Sequence, residues 1–283
     1  MRAADVSVLA VGFFDGVHLG HQAILRGADA ALTFANHPAT VLAPDRAPPL
    51  VMAAEERVAA IRACGVKAVE VLDFTSELAE MAPGDFLRLV SARLPFGSVR
   101  CGPDWRFGRG GEGDADWLLA HGVAVEVVPY AEYCGERISS SRIRACLGRG
   151  EVEAVNAMTG RTLRVAASRF RGKGMGAGLG RPTVNLESSS PALRLLPHGV
   201  YAVEMSGRRG IANYGFAPTM GDMAWDKPVI EVHFPQGDPP PPAAAETVSF
   251  LGFIRPERRF ASLAALGDQI DADCAELRAR FMA

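Results

Sequence analysis

Hydrophobic and polar positions change their rhythm once along the chain. In the first half, short apolar runs alternate with stretches of helical spacing. Residues 6–11 form an apolar run closed by Gly12, which predicts a strand. Residues 22–30 predict a short helix, and residues 31–34 (ALTF) a second strand. Residues 53–64 (AAEERVAAIRAC) have helical periodicity and close at Gly65. Residues 67–72 (KAVEVL) alternate as a strand does. Residues 83–94 open with PGDF and predict a helix with Asp85 at its N-cap. Short strands are predicted at 98–101 and 123–128, with a helix at 114–121 between them. Strands alternating with helices predict an α/β layer around a mainly parallel sheet.

The character changes near residue 160. Two short helices, 139–147 and 151–158, flank Gly148-Arg149-Gly150. Short strands punctuated by Gly and Pro follow at 163–167, 199–205, 210–214, 229–234 and 247–254. That pattern predicts an antiparallel barrel. Residues 262–281 carry Leu263, Leu266, Ile270, Cys274 and Leu277 at spacings of three and four, a terminal helix with one buried stripe. The expected domains are therefore 1–155 and 160–283. The run at 239–245 (PPPPAAA) reads as a stiff exposed loop.

Composition narrows the partners. The chain has 283 residues, 48% of them hydrophobic and 22% charged, as in ordinary globular proteins. Lys+Arg 30 against Asp+Glu 32 gives a net charge of −2, so no nucleic-acid partner is expected. No apolar run approaches the roughly 18 residues of a membrane span, and the N-terminus lacks a signal-peptide pattern. The five cysteines (64, 101, 134, 146, 274) are odd in number and form no CxxC, which predicts free thiols in a reducing cytoplasm. The sequence leaves the oligomeric state open.

The strongest local signal is Gly12-Phe13-Phe14-Asp15-Gly16-Val17-His18-Leu19-Gly20-His21, between a strand and a helix. Glycines there let backbone N–H groups approach a phosphate, and His18 and His21 can donate to phosphate oxygens as charge develops. The segment resembles the HxGH nucleotidyltransferase superfamily. The longer string resembles the bacterial bifunctional riboflavin kinase/FAD synthetase family, and the likeness runs in order along nearly the whole chain. It implies a Rossmann-like α/β domain followed by an antiparallel β-barrel with a terminal helix.

Further pieces carry the resemblance. ISSSRIR (138–144) resembles ISSTxIR, where hydroxyls and arginine hold the ATP triphosphate. That assigns Ser139, Ser140 and Ser141 to hydrogen bonding and Arg142 or Arg144 to phosphate charge. TFANHP (33–38), with Asn36 and His37, and GPDWRFG (102–108), with Asp104, Trp105 and Phe107, resemble segments lining the flavin and adenine side. Trp105 and Phe107 are each either an aromatic platform or core. In the second half, GRPTVN (180–185) resembles the kinase PTxN signature. Thr183 and Asn185 are hard oxygen ligands suited to Mg²⁺ beside ATP, with Gly174, Gly176, Gly180 and Pro182 shaping the loop. Ile230-Glu231-Val232-His233 resembles the strand that carries the catalytic glutamate.

The implied chemistry is phosphorylation of riboflavin to FMN by ATP, then adenylylation of FMN to FAD with release of pyrophosphate. His18, His21 and Arg142 would act in the second step and Glu231 in the first. Three departures from the family pattern bear on this. The stretch between His21 and Thr33 looks about ten residues short. Ala177 and Arg181 replace a basic and an aromatic residue of the kinase loop, and the proline run replaces a Tyr-Gly turn. They motivate an alternative, a single-activity FAD synthetase with a degenerate flavin-binding barrel. A non-catalytic flavin sensor is a further class, with no need for Glu231, Thr183 or the two histidines.

Overall fold

The structure, a computed structural model, describes residues 8–171, 180–216 and 228–282. Contacts divide the chain into two compact units, Met1–Ile143 and Arg144–Ala283. The first runs β1 (Val8–Val11), α1 (Leu19–Leu25), β2 (Ala30–Phe34), α2 (Ala39–Leu42), α3 (Ala54–Ala63), β3 (Ala68–Leu72), α4 (Ser76–Ala79), α5 (Pro83–Arg93), β4 (Ser98–Cys101), α6 (Ala115–Ala120) and β5 (Ala124–Val127). A small hairpin, β6 (Glu132–Tyr133) and β7 (Glu136–Arg137), leads into α7 (Ser140–Gly148), which spans the division.

The sheet order is β3-β2-β1-β4-β5 and every pair is parallel. The chain steps outward from β1 in one direction, then restarts at β4 in the other, which puts a topological switch point between β1 and β4. Side chains alternate across the sheet. Leu9 and Val11 join Phe86, Val90 and Leu118 on one face, while Ala10 and Ala31 join Leu25 and Ile61 on the other. Helices thus cover both faces, and β2 is buried at all five positions, which explains its unbroken apolar run.

Two expectations need correction. The first helix spans Leu19–Leu25 rather than 22–30. His18 caps its start, and Gly27 at φ +83° turns the chain so that Ala30 pairs with Leu9 in the sheet. The N-cap of α5 is Ala82, not Asp85. Pro83 occupies the first helical position, where its fixed φ suits the start. Asp85 then falls inside the first turn and pairs with Arg88.

The second unit holds α8 (Val152–Thr159), β8 (Leu163–Phe170), β9 (Thr183–Glu187), β10 (Gly199–Met205), β11 (Arg208–Gly215), β12 (Val229–His233), β13 (Glu246–Pro256) and α9 (Leu263–Phe281). Six strands close a barrel in the order β10-β11-β12-β9-β8-β13, all neighbours antiparallel. β9 was not among the expected strands. Helix α9 buries Cys274 and Leu277 against Val200, Ala202 and Ile211. Asn156 of α8 donates to Phe250 O at 3.0 Å and accepts from Leu163 N at 2.7 Å, which ties α8 to the barrel. The division consequently falls earlier than the change of character in the sequence.

The proline run has a physical anchor. Arg169 donates to Pro240 O at 3.1 Å, and buried Glu246 accepts from Arg169 Nε at 3.0 Å and from Ala243 N at 3.2 Å. Among the described residues, no helix is long and apolar enough to cross a membrane.

Candidate active sites

The turn after β1 is built from unusual backbone. Phe14 (φ +59°), Gly16 (φ +81°) and Val17 (φ +37°) all lie in the left-handed region. Such conformations are costly for β-branched and bulky residues and gather where the surroundings over-determine them. Here those surroundings are visible. Gly12 N donates to Leu32 O at 3.1 Å, Thr33 Oγ1 donates to Phe13 O at 2.9 Å, and Phe14 is buried. A Cβ on Gly12 would meet the Phe14 ring at 2.9 Å. One on Gly20 would lie 3.2 Å from the His18 ring, so both glycines are needed for close approach.

His18 is 5% exposed and caps α1, its Nδ1 accepting from His21 N at 3.3 Å. In a neutral imidazole, an Nδ1 that accepts puts the ring proton on Nε2. The imidazoles of His18 and His21 stack at 3.6 Å and 17°. Both line a cleft of about 320 Å³ at the carboxyl ends of β1, β4 and β5, where the switch point predicts a ligand site.

Of the expected residues, Gly12, His18, Gly20, His21, Asp104, Trp105, Ser139, Ser140 and Ser141 line this cleft together. Ser140 Oγ donates to Asp15 O at 2.9 Å, and Ser139 Oγ accepts from Arg142 N at 3.2 Å. The Asp15 carboxylate points elsewhere. It is 2% exposed and accepts from Val51 N and Met52 N at 3.0–3.1 Å, pinning that segment behind the turn. Asn36 clamps Phe74 through both its backbone groups, and His37 Nδ1 accepts from Ala39 N at 3.0 Å. Phe13 packs edge-on against His37. None of Phe13, Asp15, Asn36 and His37 is part of the cleft lining.

Three further expected side chains, Phe107, Arg142 and Arg144, also lie outside the cleft lining. Phe107 is core, packed among Phe86, Trp105 and Trp117, whereas Trp105 reaches the cleft. Arg142 lies on the hairpin instead, donating to Tyr133 O at 3.0 Å and Glu136 O at 2.8 Å. The arginine in the cleft is Arg137, which pairs with Asp104 at 2.6 Å and stacks over Tyr130 at 3.6 Å. The hydrogen bond from Tyr130, then that from Arg137, holds the Asp104 carboxyl below the usual carboxylate range. Sequence reasoning left 129–137 unread; the basic residue directly before ISSS was the available signal.

Arg57 was also missed. It is fully buried, lies 4.2 Å over the Phe13 ring, and donates to Phe34 O. Burial lowers its pKa, and nearby Asp15 and Glu55 oppose that shift. It holds the ends of β1 and β2 from behind.

In the barrel, Glu231 stands directly opposite Asn185 and His233 opposite Thr183. All four share one face, because Ile230 and Val232 fill the buried one. Thr183 Oγ1 donates to Glu231 Oε1 at 2.7 Å. Pro182 O lies 3.2 Å from His233 Nδ1. Arg181, which replaces an aromatic, pairs with Asp271 of α9 at 2.6 Å. That hydrogen bond is the main reason the Asp271 carboxyl is held below its ordinary value. Gly180 has φ +68°, and Gly174, Gly176 and Ala177 lie outside the described residues. Among the described residues, no cluster of three or more His, Cys, Asp or Glu could hold a metal.

Comparison with known proteins follows the same division. Residues 1–142 match the FAD synthetase family and residues 159–281 the riboflavin kinase family. A bifunctional riboflavin kinase/FMN adenylyltransferase of Bacillus subtilis is 30% identical over 94% of this chain and 90% of its own. One from Pseudomonas fluorescens is 32% identical over 96% and 92%. A solved structure described as a macrolide-efflux protein from Streptococcus pneumoniae superposes with a TM-score of 0.84 and 26% identity, covering 98% of this chain and 96% of that one.

Proposed function

The chain belongs to the bifunctional riboflavin kinase/FMN adenylyltransferase family, and from that membership we propose that it makes FAD from riboflavin in two ATP-dependent steps. Residues 1–155 would carry the adenylyltransferase and 160–283 the kinase. ATP, riboflavin and FMN are the substrates, FAD and pyrophosphate the final products, and the cytoplasm the expected setting. The observation that carries the reading is the convergence of His18, His21, Arg137 and the three serines on one cleft at the switch point.

In the adenylyl step, an oxygen of the FMN phosphate attacks the α-phosphorus of ATP and pyrophosphate leaves. The attacking phosphate is already ionised, so the protein's task is orientation and charge stabilisation. His18 offers Nε2–H, His21 stacks beside it, and Arg137 exchanges Asp104 for phosphate. Arg142 serves by holding the hairpin that carries Arg137.

In the kinase step, Glu231 takes the proton of the ribityl 5′-hydroxyl as its oxygen attacks the γ-phosphorus, and ADP leaves. The oxygens of Thr183 and Asn185, on the same face as Glu231, fit a hard cation. They would hold Mg²⁺, which when bound neutralises phosphate charge.

The experiment is to assay each half-reaction separately and resolve riboflavin, FMN and FAD by HPLC. Both conversions are expected. FAD formation from FMN with no riboflavin phosphorylation would establish the single-activity alternative. Flavin binding without ATP turnover would leave a sensor.

A further inference from the structure

The geometry points to Arg100 as a positioning residue for the His18–His21 pair, an inference that rests on the adenylyl reading above. Both histidines hang on α1, a helix of only seven residues. Helices this short are marginal without tertiary support, and their last carbonyls lack helical partners. The last helical bond of α1 runs from Arg26 N to Gln22 O at 2.8 Å, and beyond it Leu25 O accepts locally from Ala28 N at 3.1 Å. Another strand supplies partners for Ala23 O and Arg26 O. Arg100 Nη2 donates to Ala23 O at 3.3 Å, and Arg100 Nη1 donates to Arg26 O.

Arg100 is oriented for this by the sheet. On β4, Val99 and Cys101 join the core beneath α5 and α6. Arg100 is paired with Ala10, whose side chain belongs to the opposite face, the one that α1 covers. Its side chain is only 17% exposed. Glu126, its neighbour in register on β5, pairs with Nη2 at 3.1 Å. Gly27 completes the arrangement, since a Cβ there would approach Arg100 Nη1 to 3.0 Å. A cation at the C-terminal end of a helix also complements its dipole. Arg100 therefore fixes the far end of the lever whose near end presents His18 and His21. It does not line the cleft, so it acts through α1.

The test uses Arg100→Met and Arg100→Lys in the full-length protein. In the methionine variant, kcat for FMN adenylylation should fall about 10- to 100-fold, as for a displaced catalytic group. KM for ATP and FMN should change by less than about threefold. Riboflavin phosphorylation should match the wild type, and the lysine variant should recover part of the loss. Amide hydrogen exchange should quicken at residues 19–26 and stay unchanged in the strands. A wild-type kcat, unchanged exchange in α1, or equal loss of both activities with faster exchange throughout would each overturn the proposal. If the methionine variant does not fold, Arg100→Gln, which can donate to one carbonyl, decides by the same readings. A wild-type protein that makes no FAD would defeat the functional reading instead, and exchange in α1 would still judge the clamp.

Discussion

The hydroxyl of Ser140 donates to the backbone carbonyl of Asp15 at 2.9 Å, across 125 positions of sequence. That bond ties the start of α7 to the strained turn after β1. Its carbonyl belongs to the residue whose carboxylate pins Val51 and Met52. One residue thus anchors the turn from two sides, and the histidines and serines meet over a common cleft.

Removing one histidine tests the adenylyl site. His21→Ala should reduce FAD formation from FMN by about 10²–10³, the usual cost of losing a preorganised donor. Riboflavin phosphorylation should persist, because Glu231 and Thr183 lie in the other unit. Parallel assays of one preparation make the comparison, and equal losses in both would count against separate sites.

The two arginines of the hairpin region should behave differently. Arg137→Ala should raise KM for ATP and lower kcat/KM at least tenfold, since it removes a charge from the cleft. Arg142→Ala should cost less, because its guanidinium contacts backbone carbonyls of the hairpin. Steady-state kinetics with varied ATP would reverse the assignment if Arg142→Ala proved the more damaging.

Glu231→Gln keeps an acceptor for Thr183 but removes the proton sink. The kinase rate should fall by about 10²–10⁴. Riboflavin binding, followed by quenching of flavin fluorescence, should barely change, and FMN adenylylation should be untouched. A variant phosphorylating at the wild-type rate would remove Glu231 from the mechanism.

The Arg181–Asp271 pair carries a pH signature. Its hydrogen bond depresses the carboxyl in the folded state, so its contribution is complete above the unfolded value, near 4. The contribution disappears as pH falls through the lower folded value. Thermal midpoints of wild type and Asp271→Asn should differ at pH 7 and converge in acid. A gap independent of pH would mean the pair contributes nothing as an ion pair.

The thiols should react in order of access. Cys134 is exposed, while Cys101, Cys146 and Cys274 are buried. Burial also pushes the Cys101 thiol up to about 11. Brief alkylation at pH 8, read by peptide mass spectrometry, should label Cys134 first and spare Cys101. Early labelling of Cys101 would show that β4 opens readily.

Local patterns sufficed for most elements and for the motif strings. Strands 98–101 and 199–205 coincide with β4 and β10, because apolar spacing between Gly and Pro breaks is local information. The turn GFFDGVHLGH was legible for the same reason: its glycines and histidines act within ten consecutive residues. β9 was hidden because its Thr183 and Asn185 look like loop residues until the barrel closes and gives them an outer face. Tertiary structure alone separated Trp105 from Phe107, and Arg137 from Arg142. It also gave Arg181 a partner 90 residues away and turned Arg100 toward α1. A long cationic or aromatic side chain can reach several neighbours. Which one it meets depends on the face its strand presents and on what distant chain lies there. Spacing along the sequence fixes neither until the sheet and barrel have formed.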